Sequence, residues 1–237
     1  MSMETSIIVT GGAGALGAAV VRYLVGAGHR VASFDTARAE ERQKALRAEL
    51  GERYLGVMTD VTSVAGWEHA LDRTQTVLGP VAGAVLTVGG WAGGAPLVSE
   101  PETTFRTMVD VNLGTVHLAL RALLPGLVAR KAGSVVVIGS RAVERPWTSA
   151  NAASYAAAKA GAVALAQAAA AEVLASGVRI NSVLPSTIDT AANREAMPDA
   201  DASTWVAPES LAAVIGFLLS DGARDVTGAA IPVYGRT

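Results

Sequence analysis

The stretch that decides the fold is Ser6-Ile7-Ile8-Val9-Thr10-Gly11-Gly12-Ala13-Gly14-Ala15-Leu16-Gly17. Its first five residues form a short, mostly apolar run typical of a buried strand, and a helical pattern follows the glycines as far as Ala27. Glycines in such a turn allow positive φ and close backbone approach, and the free N–H groups at a helix start can bind a pyrophosphate. The pattern predicts a dinucleotide-binding turn formed by Gly11, Gly12, Ala13, Gly14, Ala15, Leu16 and Gly17.

A second strand, Arg30 to Phe34, ends in Asp35, eighteen residues after Gly17. A carboxylate in that position can accept hydrogen bonds from an adenosine ribose and repels a 2′-phosphate. No Arg or Lys lies within the glycine turn, and Arg38 is the one nearby base that could accommodate a phosphate. The sequence therefore predicts NAD as the cofactor, with NADH preferred over NADPH. The alternative is a tight turn and a strand-end carboxylate that bind no ligand.

Strand and helix patterns alternate along the rest of the chain, which predicts repeated βαβ units and a parallel sheet. We expect one Rossmann-type, doubly wound α/β domain over residues 1–237, with helices on both faces of the sheet. The further predicted strands are Tyr54–Met58, Val81–Val88, Ser134–Ile138, Val178–Leu184 and Ile231–Val233, and the further predicted helices are Val64–Leu78, Glu102–Ala129, Asn151–Ser176 and Pro208–Ser220.

Asp60 and Val61 follow the third strand, where an Asp side chain can meet the amino group of an adenine. A helix N-cap formed by Asp60 or by Ser63 explains the same residues equally well.

A phenol and an ammonium, Tyr155 and Lys159, are four residues apart in an Ala-rich helix and therefore share one of its faces. A neighbouring cation stabilises a phenolate, so we expect Lys159 to lower the pKa of Tyr155. Ser140 lies at the carboxyl end of a strand, the edge where open α/β sheets bind ligands. Asn112 is a middling helix former inside a long helix, so local hydrogen bonding or function must explain it. Pro125 should bend or end that helix.

The segment from Thr187 to Val206 is rich in Asp, Ala, Ser and Pro, and we expect an irregular lid over the substrate. The side chains that flank the expected pocket are Trp91, Arg141, Trp147 and Trp205. Packing in the core or the lid is the alternative for the tryptophans, and an ion pair with Glu144 is the alternative for Arg141.

Composition excludes several function classes. Hydrophobic residues make up 51% of the 237 residues, charged residues 17%, and the net charge is −2, which disfavours nucleic acid as a partner. There are no cysteines, and His29, His69 and His117 are isolated, so no metal site is expected. Residues 1–6 lack a signal pattern, and Gln167 and Glu172 interrupt the longest Ala-rich run. We expect a cytoplasmic protein that does not enter a membrane.

The chain resembles the short-chain dehydrogenase/reductase family over nearly its whole length. Residues 10–17 resemble that family's T-G-x-x-x-G-x-G, with Ala15 at the middle glycine. Residues 185–190 are similar to its P-G-x-I-x-T, and residues 227–235 to its closing T-G-x-x-x-x-V-x-G. The residues that match the family's catalytic tetrad are Asn112, Ser140, Tyr155 and Lys159.

The resemblance implies how a nicotinamide cofactor and a small-molecule substrate are handled. Tyr155 would give its proton to the substrate oxygen, Ser140 would hydrogen-bond that oxygen, and Lys159 would hold the ribose. Asn112 would fix a water molecule that connects Lys159 to solvent. Thr190 would contact the carboxamide of nicotinamide. The other implied cofactor contacts are Val88, Gly89, Gly90, Pro185 and Ile188. A homotetramer or homodimer that pairs through the helices of Asn112 and Tyr155 is also implied.

The largest departure from the family pattern is Thr87-Val88-Gly89-Gly90, where most members have N-N-A-G. With residues 89–94 and 184–205, it resembles the dihydropteridine reductase branch, which lacks the serine and the helix asparagine that this chain keeps. Three hypotheses follow. The chain is an NAD(H)-dependent oxidoreductase for a carbonyl or secondary alcohol, a quinonoid pterin reductase, or a non-catalytic protein that senses dinucleotides.

Overall fold

The computed structural model describes residues 5–237, which form one seven-stranded sheet with all neighbouring strands parallel. The order is β3-β2-β1-β4-β5-β6-β7. This confirms the predicted doubly wound, Rossmann-type sheet. The strands are β1 (Ser6–Thr10), β2 (Arg30–Asp35), β3 (Tyr54–Met58), β4 (Val81–Leu86), β5 (Gly133–Ile138), β6 (Val178–Pro185) and β7 (Ala230–Val233).

Helices cover both faces of the sheet. The α-helices are α1 (Ala15–Gly26), α2 (Glu40–Leu50), α3 (Val64–Leu78), α4 (Glu102–Met108), α5 (Thr115–Arg130), α6 (Ala153–Val173), α7 (Ala191–Ala196) and α8 (Pro208–Leu219). A π-helix, Val109–Gly114, joins α4 to α5.

The core has two layers because successive side chains of a strand point to opposite faces. Ile8 of β1 packs in the cluster that contains residues of α3, α5 and α6, whereas Ile7 and Val9 pack with residues of α1 and α8. On the first face, the rings of Phe34 and Trp67 meet edge to face with centroids 5.5 Å apart. Both layers are apolar, so the polar chemistry concentrates at the carboxyl edge of the strands.

The strand order reverses at β1, which has β2 on one side and β4 on the other. The loops after β1 and β4 therefore leave the sheet in opposite directions and open a crevice at its carboxyl edge. Thr87, after β4, donates its hydroxyl to the Thr10 carbonyl across this crevice at 2.6 Å. The crevice is where the residues selected from sequence meet.

Three elements differ from the sequence prediction. The predicted helix from Glu102 to Ala129 is continuous, but it contains the π-helical segment. Pro125 does not end it and lies within α5. Helix α2 was not predicted. The lid segment is not wholly irregular, since it contains α7 and a bridge from Ile188 to Val206.

Two helical stretches, 102–130 and 153–176, are long and apolar enough to cross a membrane by length and composition alone. Both pack against the sheet in the cluster that contains α5 and α6. Core helices of a doubly wound domain have this composition, so these stretches are explained by the fold.

Candidate active site

The glycine turn is packed so tightly that it has no room for side chains at two positions. A Cβ on Gly17 would lie 2.1 Å from the Gly11 carbonyl oxygen, and one on Gly12 would lie 2.4 Å from the Cβ of Ser33. Gly11 also has a φ of +65°, which favours glycine. The methyl group of Ala15 is accommodated as the first residue of α1. The turn therefore presents backbone rather than side chains to a ligand.

Asp35 lies at the end of β2 and binds the turn directly. Its two carboxylate oxygens accept from the Ala13 N–H at 3.1 and 3.2 Å, and its Oδ2 accepts from Ser33 and Gln43 at 2.8 Å each. Arg42 donates Nε–H to the Ala13 carbonyl at 2.9 Å. The backbone of Ala13 is therefore held at both ends, its N–H by the Asp35 carboxylate and its carbonyl by the Arg42 guanidinium.

Arg42 and Gln43 were missed in the sequence because α2 was missed. The available signals were acidic residues in its first turn, Arg47 in its last turn, and Gly51 at positive φ just beyond it. The expectation that Arg38 is the one base near the predicted adenosine site is therefore wrong, because Arg42 also lies there.

Asp60 forms a local turn at the carboxyl end of β3. Its Oδ1 accepts from the backbone N–H and the hydroxyl of Thr62 at 2.9 and 2.6 Å, and these bonds lower the pKa of Asp60. The N-cap of α3 is Ser63, whose hydroxyl accepts from the Gly66 N–H. Val61 is buried, and its carbonyl accepts from the indole of Trp67 at 3.1 Å. Of the two N-cap candidates, Ser63 is correct.

Asn112 lies within the π-helix, and its side chain explains the distortion. Its Nδ2 donates to the Met108 carbonyl at 3.1 Å, the partner that its own backbone N–H would take in an α-helix. The same amide binds Gly90 twice, through Oδ1 to the N–H at 3.2 Å and Nδ2 to the carbonyl at 3.0 Å. Asn112 therefore fixes the loop after β4 to the helix.

Gly89 lies between the side chains of Asn112 and Lys159. A Cβ on Gly89 would be 2.8 Å from Asn112 Oδ1 and 3.0 Å from Lys159 Nζ. Lys159 is 7% exposed and donates to the Ile138 carbonyl at 2.9 Å. Burial lowers the pKa of Lys159 to about 8. Two of the four predicted catalytic residues, Asn112 and Lys159, thus meet at the loop after β4.

The Tyr155 phenol and the Ser140 hydroxyl are neighbours, and each affects the other's environment. Burial raises the pKa of Tyr155, and the Ser140 hydroxyl lowers it by a smaller amount. The expected lowering of this pKa by Lys159 is therefore wrong for this structure, because loss of phenolate solvation is the largest effect and Lys159 is not among its causes. Ser140 also accepts from the Ala142 N–H at 3.2 Å, which orients its hydroxyl.

The segment after β6 contributes Pro185, Ile188 and Thr190. Pro185 ends β6, Ile188 bridges to Val206, and the Thr190 hydroxyl is the N-cap of α7, accepting from the Asn193 N–H at 3.1 Å. The Thr190 hydroxyl keeps its own proton available for donation. The start of the lid is therefore ordered by backbone pairing and by this cap.

The tryptophans expected near the pocket differ in exposure. Trp91 and Trp147 are 66% and 75% exposed, which excludes core packing for both, while Trp205 is partly buried. Arg141 does not pair with Glu144. Its Nη1 donates to the Thr237 hydroxyl at 3.0 Å, and Glu144 accepts from the Tyr234 hydroxyl at 2.6 Å.

Within residues 5–237, no group of three or more His, Cys, Asp or Glu side chains is arranged to hold a metal ion. The polar side-chain groups that the chain places at the crevice include the Tyr155 phenol, the Ser140 hydroxyl, the Asn112 amide and the Lys159 ammonium.

A family model described as short chain dehydrogenase matches residues 5–201. The chain belongs to the short-chain dehydrogenase family. One relative, cis-4-hydroxycyclohexanecarboxylate dehydrogenase of Sinomonas cyclohexanicum, is 33% identical over 241 residues, covering 98% of this chain and 96% of that protein. Another, 3-oxoacyl-[acyl-carrier-protein] reductase FabG of Salmonella typhimurium, is 29% identical over 244 residues, covering 99% of this chain and 98% of that protein.

The structure of ElxO with NADP bound superimposes with a TM-score of 0.91 at 19% identity, covering 98% of each chain. At that identity the likeness concerns the fold alone. The family assignment confirms the resemblance found in the sequence and the oxidoreductase class. These relatives give no support to the dihydropteridine reductase branch.

The buried ammonium of this short-chain dehydrogenase predicts a specific dependence of stability on pH. Below pH 8 Lys159 is charged in both the folded and the unfolded chain, so its burial costs stability. That cost is relieved as the pH rises from about 8 toward 10.5, because the folded state releases its proton first. Lys159→Met should raise the free energy of unfolding at pH 7 by about 2 kcal/mol, after deducting the lost bond to Ile138.

Urea denaturation without cofactor at pH 7 and pH 10 measures this effect, and the gain should shrink at the higher pH. Lys44→Met is the control, since Lys44 is exposed and its surface ion pairs with Glu40 and Glu41 contribute at most about 1 kcal/mol. A Lys159→Met variant that is less stable than the wild type at pH 7 would contradict the account.

Proposed function

We propose that this chain is an NAD(H)-dependent oxidoreductase that transfers hydride between nicotinamide and a carbonyl or secondary alcohol. The observation that carries the proposal is that the Ser140 hydroxyl lies close enough to the Tyr155 phenol to lower its pKa. A hydroxyl and a phenol that lie side by side at the carboxyl edge of a parallel sheet can both hydrogen-bond one substrate oxygen. The names of the two relatives support the substrate class, since one names a hydroxycyclohexane and the other a 3-oxoacyl group.

The residues at the crevice fit a nicotinamide dinucleotide. Gly12 and Gly17 leave the turn bare of side chains, so a pyrophosphate can approach the backbone. Lys159 is an almost fully buried ammonium with three donors and a single hydrogen bond, to the Ile138 carbonyl, among the described residues. Ribose hydroxyls would satisfy the two remaining donors. When bound, the nicotinamide supplies or accepts the hydride.

The side chains of the chain perform the proton and positioning steps. The raised pKa of Tyr155 keeps the phenol protonated at neutral pH, the form that gives a proton to a carbonyl oxygen during reduction. Ser140 donates toward the same oxygen, and the Ala142 N–H fixes its hydroxyl. Lys159 holds positive charge beside the site, and Asn112 holds the loop of Gly89 and Gly90 in place.

The lid, residues 187–206, is proposed to close over the substrate. Its ends are fixed by the bridge between Ile188 and Val206, while α7 and the turn at Ala202–Thr204 lie between them. The backbone N–H of Arg236 also binds the Thr204 carbonyl at 3.0 Å. Lid side chains would therefore select the substrate, and the tetrad would perform the chemistry.

Substitution of the two hydroxyl groups tests the proposal. Ser140→Ala should lower turnover of the best substrate about a hundredfold, because one oxyanion donor contributes roughly 3 kcal/mol. Tyr155→Phe should be at least as damaging, since it removes the proton donor. NADH affinity should stay unchanged in Ser140→Ala. The assay monitors NADH oxidation with a panel of cyclic and acyclic ketones and a quinonoid dihydropterin, and Ser149→Ala is the matched control.

Near-normal turnover of Ser140→Ala on a ketone would refute the assigned role. Turnover restricted to the pterin would assign the chain to the pterin reductases. Tight NADH binding with no turnover on the whole panel would favour a dinucleotide-sensing protein.

The cofactor preference has its own test. The carboxylate of Asp35 lies against the Ala13 N–H, where it can bind the adenosine ribose and repel a 2′-phosphate. NADH should bind at least about tenfold more tightly than NADPH, a difference of about 1.4 kcal/mol. Fluorescence titration gives both dissociation constants, and Asp35→Ala should narrow their ratio. Tighter binding of NADPH to the wild type would refute the preference.

We further propose a cytoplasmic homotetramer or homodimer that pairs through the continuous helix carrying Asn112 (α4, the π-helix and α5) and through α6, which carries Tyr155. The outer face of α6 is a row of exposed alanines at helical spacing, which allows close approach of a second helix: Ala153, Ala157, Ala164, Ala168 and Ala171. Light scattering at micromolar concentration should report an oligomer, and Ala164→Glu should lower the mass. Ala48→Glu, on the exposed face of α2, should not. A monomeric wild type would contradict the proposal.

A further inference from the structure

A group of polar side chains is buried beneath the adenosine end of the crevice. Asp35, Gln43, Ser33 and Tyr54 are 8%, 4%, 0% and 0% exposed, and they come from β2, α2 and β3. Buried polar groups cost stability unless they are fully hydrogen-bonded. Their arrangement is therefore constrained, and its hydrogen-bond directions can be worked out.

The directions follow from Tyr54. Burial raises the pKa of Tyr54 to about 12, so its hydroxyl carries a proton. Ser33 Oγ lies 2.8 Å from this hydroxyl and 2.8 Å from Asp35 Oδ2. A carboxylate only accepts, so the serine donates to Asp35 and accepts from the tyrosine. The direction therefore runs from Tyr54 through Ser33 to Asp35.

Gln43 completes the set of donors to Asp35. Its Nε2 donates to Asp35 Oδ2 at 2.8 Å and lies 3.0 Å from Ser33 Oγ and 3.2 Å from the Ser33 carbonyl. The nitrogen must face the carboxylate, because an amide oxygen in that place would be repelled. Gln43 thus donates to one oxygen of Asp35 and to the Ser33 residue that also holds that oxygen.

The two oxygens of Asp35 consequently differ. Oδ2 accepts hydrogen bonds from the Ser33 hydroxyl and the Gln43 amide, and it shares the Ala13 N–H with Oδ1. Among residues 5–237, Oδ1 accepts only from that shared N–H. Oδ1 therefore retains a lone pair for a further donor. With Oδ2 anchored, the carboxylate cannot rotate without breaking buried hydrogen bonds.

Gly56 on β3 leaves the space that Gln43 occupies. A Cβ on Gly56 would lie 2.4 Å from Gln43 Oε1 and 2.8 Å from its Cδ. The amide therefore lies flat against a strand position that has no side chain. A methyl group there would displace the amide from Asp35 without removing any donor.

We propose that Gln43 is the positioning residue that sets the discrimination between NADH and NADPH. It anchors Oδ2 of Asp35 so that Oδ1 faces the 2′-hydroxyl of the adenosine ribose in a fixed orientation. The inference rests on the proposed use of a nicotinamide dinucleotide. Without the amide, only Ser33 and the Ala13 N–H hold the carboxylate, which then samples orientations turned from the ribose. Arg42, on the same helix, stays beside the Ala13 carbonyl, where it can attract a 2′-phosphate.

The test compares dissociation constants of NADH and NADPH for purified full-length variants. Gln43→Met keeps the length of the side chain and removes the donor, and it should reduce the ratio of the NADPH to the NADH dissociation constant about tenfold. Gly56→Ala should shift the ratio in the same direction. Gln167→Met, the same substitution at an exposed glutamine of α6, should leave the ratio within about twofold.

A double-mutant cycle separates positioning from general loss of structure. In an Asp35→Ala background, Gln43→Met should no longer change the ratio, because Gln43 acts only through that carboxylate. If Gln43→Met does not fold, Gln43→Asn replaces it, since its amide is one methylene too short to reach Asp35.

An unchanged ratio in a folded Gln43→Met or Gln43→Asn protein would overturn the inference, as would an equal effect in the Asp35→Ala background. The proposed function fails in a different way, by a wild type that binds neither cofactor or prefers NADPH. The role of Gln43 is read from the change between wild type and variant, whatever the starting ratio.

Discussion

The close packing of Gly17 against the turn before it is the constraint on which the arrangement of the crevice at the carboxyl edge of the sheet depends. A methyl group on Gly17 would lie 2.1 Å from the Gly11 carbonyl oxygen and 2.7 Å from the Gly12 Cα, so α1 can pack against β1 only when this residue has no side chain. This close packing brings the Ala13 N–H to the carboxylate of Asp35. The absence of side chains at Gly12 and Gly17 thus determines the position of the proposed adenosine site.

The proposed catalytic end of the crevice depends on a second constraint, the burial of the charged Lys159 side chain. An almost fully buried ammonium with one carbonyl partner lowers the stability of the fold. Lys159 is such a group, and its Nζ lies next to Gly89, where a side chain would not fit. The π-helix at Asn112 also departs from the most stable local structure, because the Asn112 side chain takes the Met108 carbonyl that a regular α-helical hydrogen bond would use. Local departures of this kind are typical of functional sites.

Much of the fold could be predicted from the sequence, because strands such as Ser6–Thr10 and turns rich in glycine depend on local patterns. The π-helix could not, because it depends on hydrogen bonds that the Asn112 side chain makes to the Met108 carbonyl and to Gly90, twenty-two residues earlier. Helix α2 has low hydrophobicity and few buried residues, so its pattern was weak, and Gln43 was missed with it. The pKa of Tyr155 also could not be predicted, since burial outweighs any effect of a cation nearby in sequence.

The central claim is that nicotinamide would supply a hydride to the carbonyl carbon of a ketone while Tyr155 gives a proton to its oxygen, and isotope transfer tests this most directly. The protein is incubated with NADH deuterated at the transferable position and with ketones that include 4-oxocyclohexanecarboxylate, chosen from the name of the Sinomonas relative. Mass spectrometry and NMR of the products should find one deuterium on the new carbinol carbon. A panel that returns only unreacted ketones, from protein that binds NADH, would contradict the account.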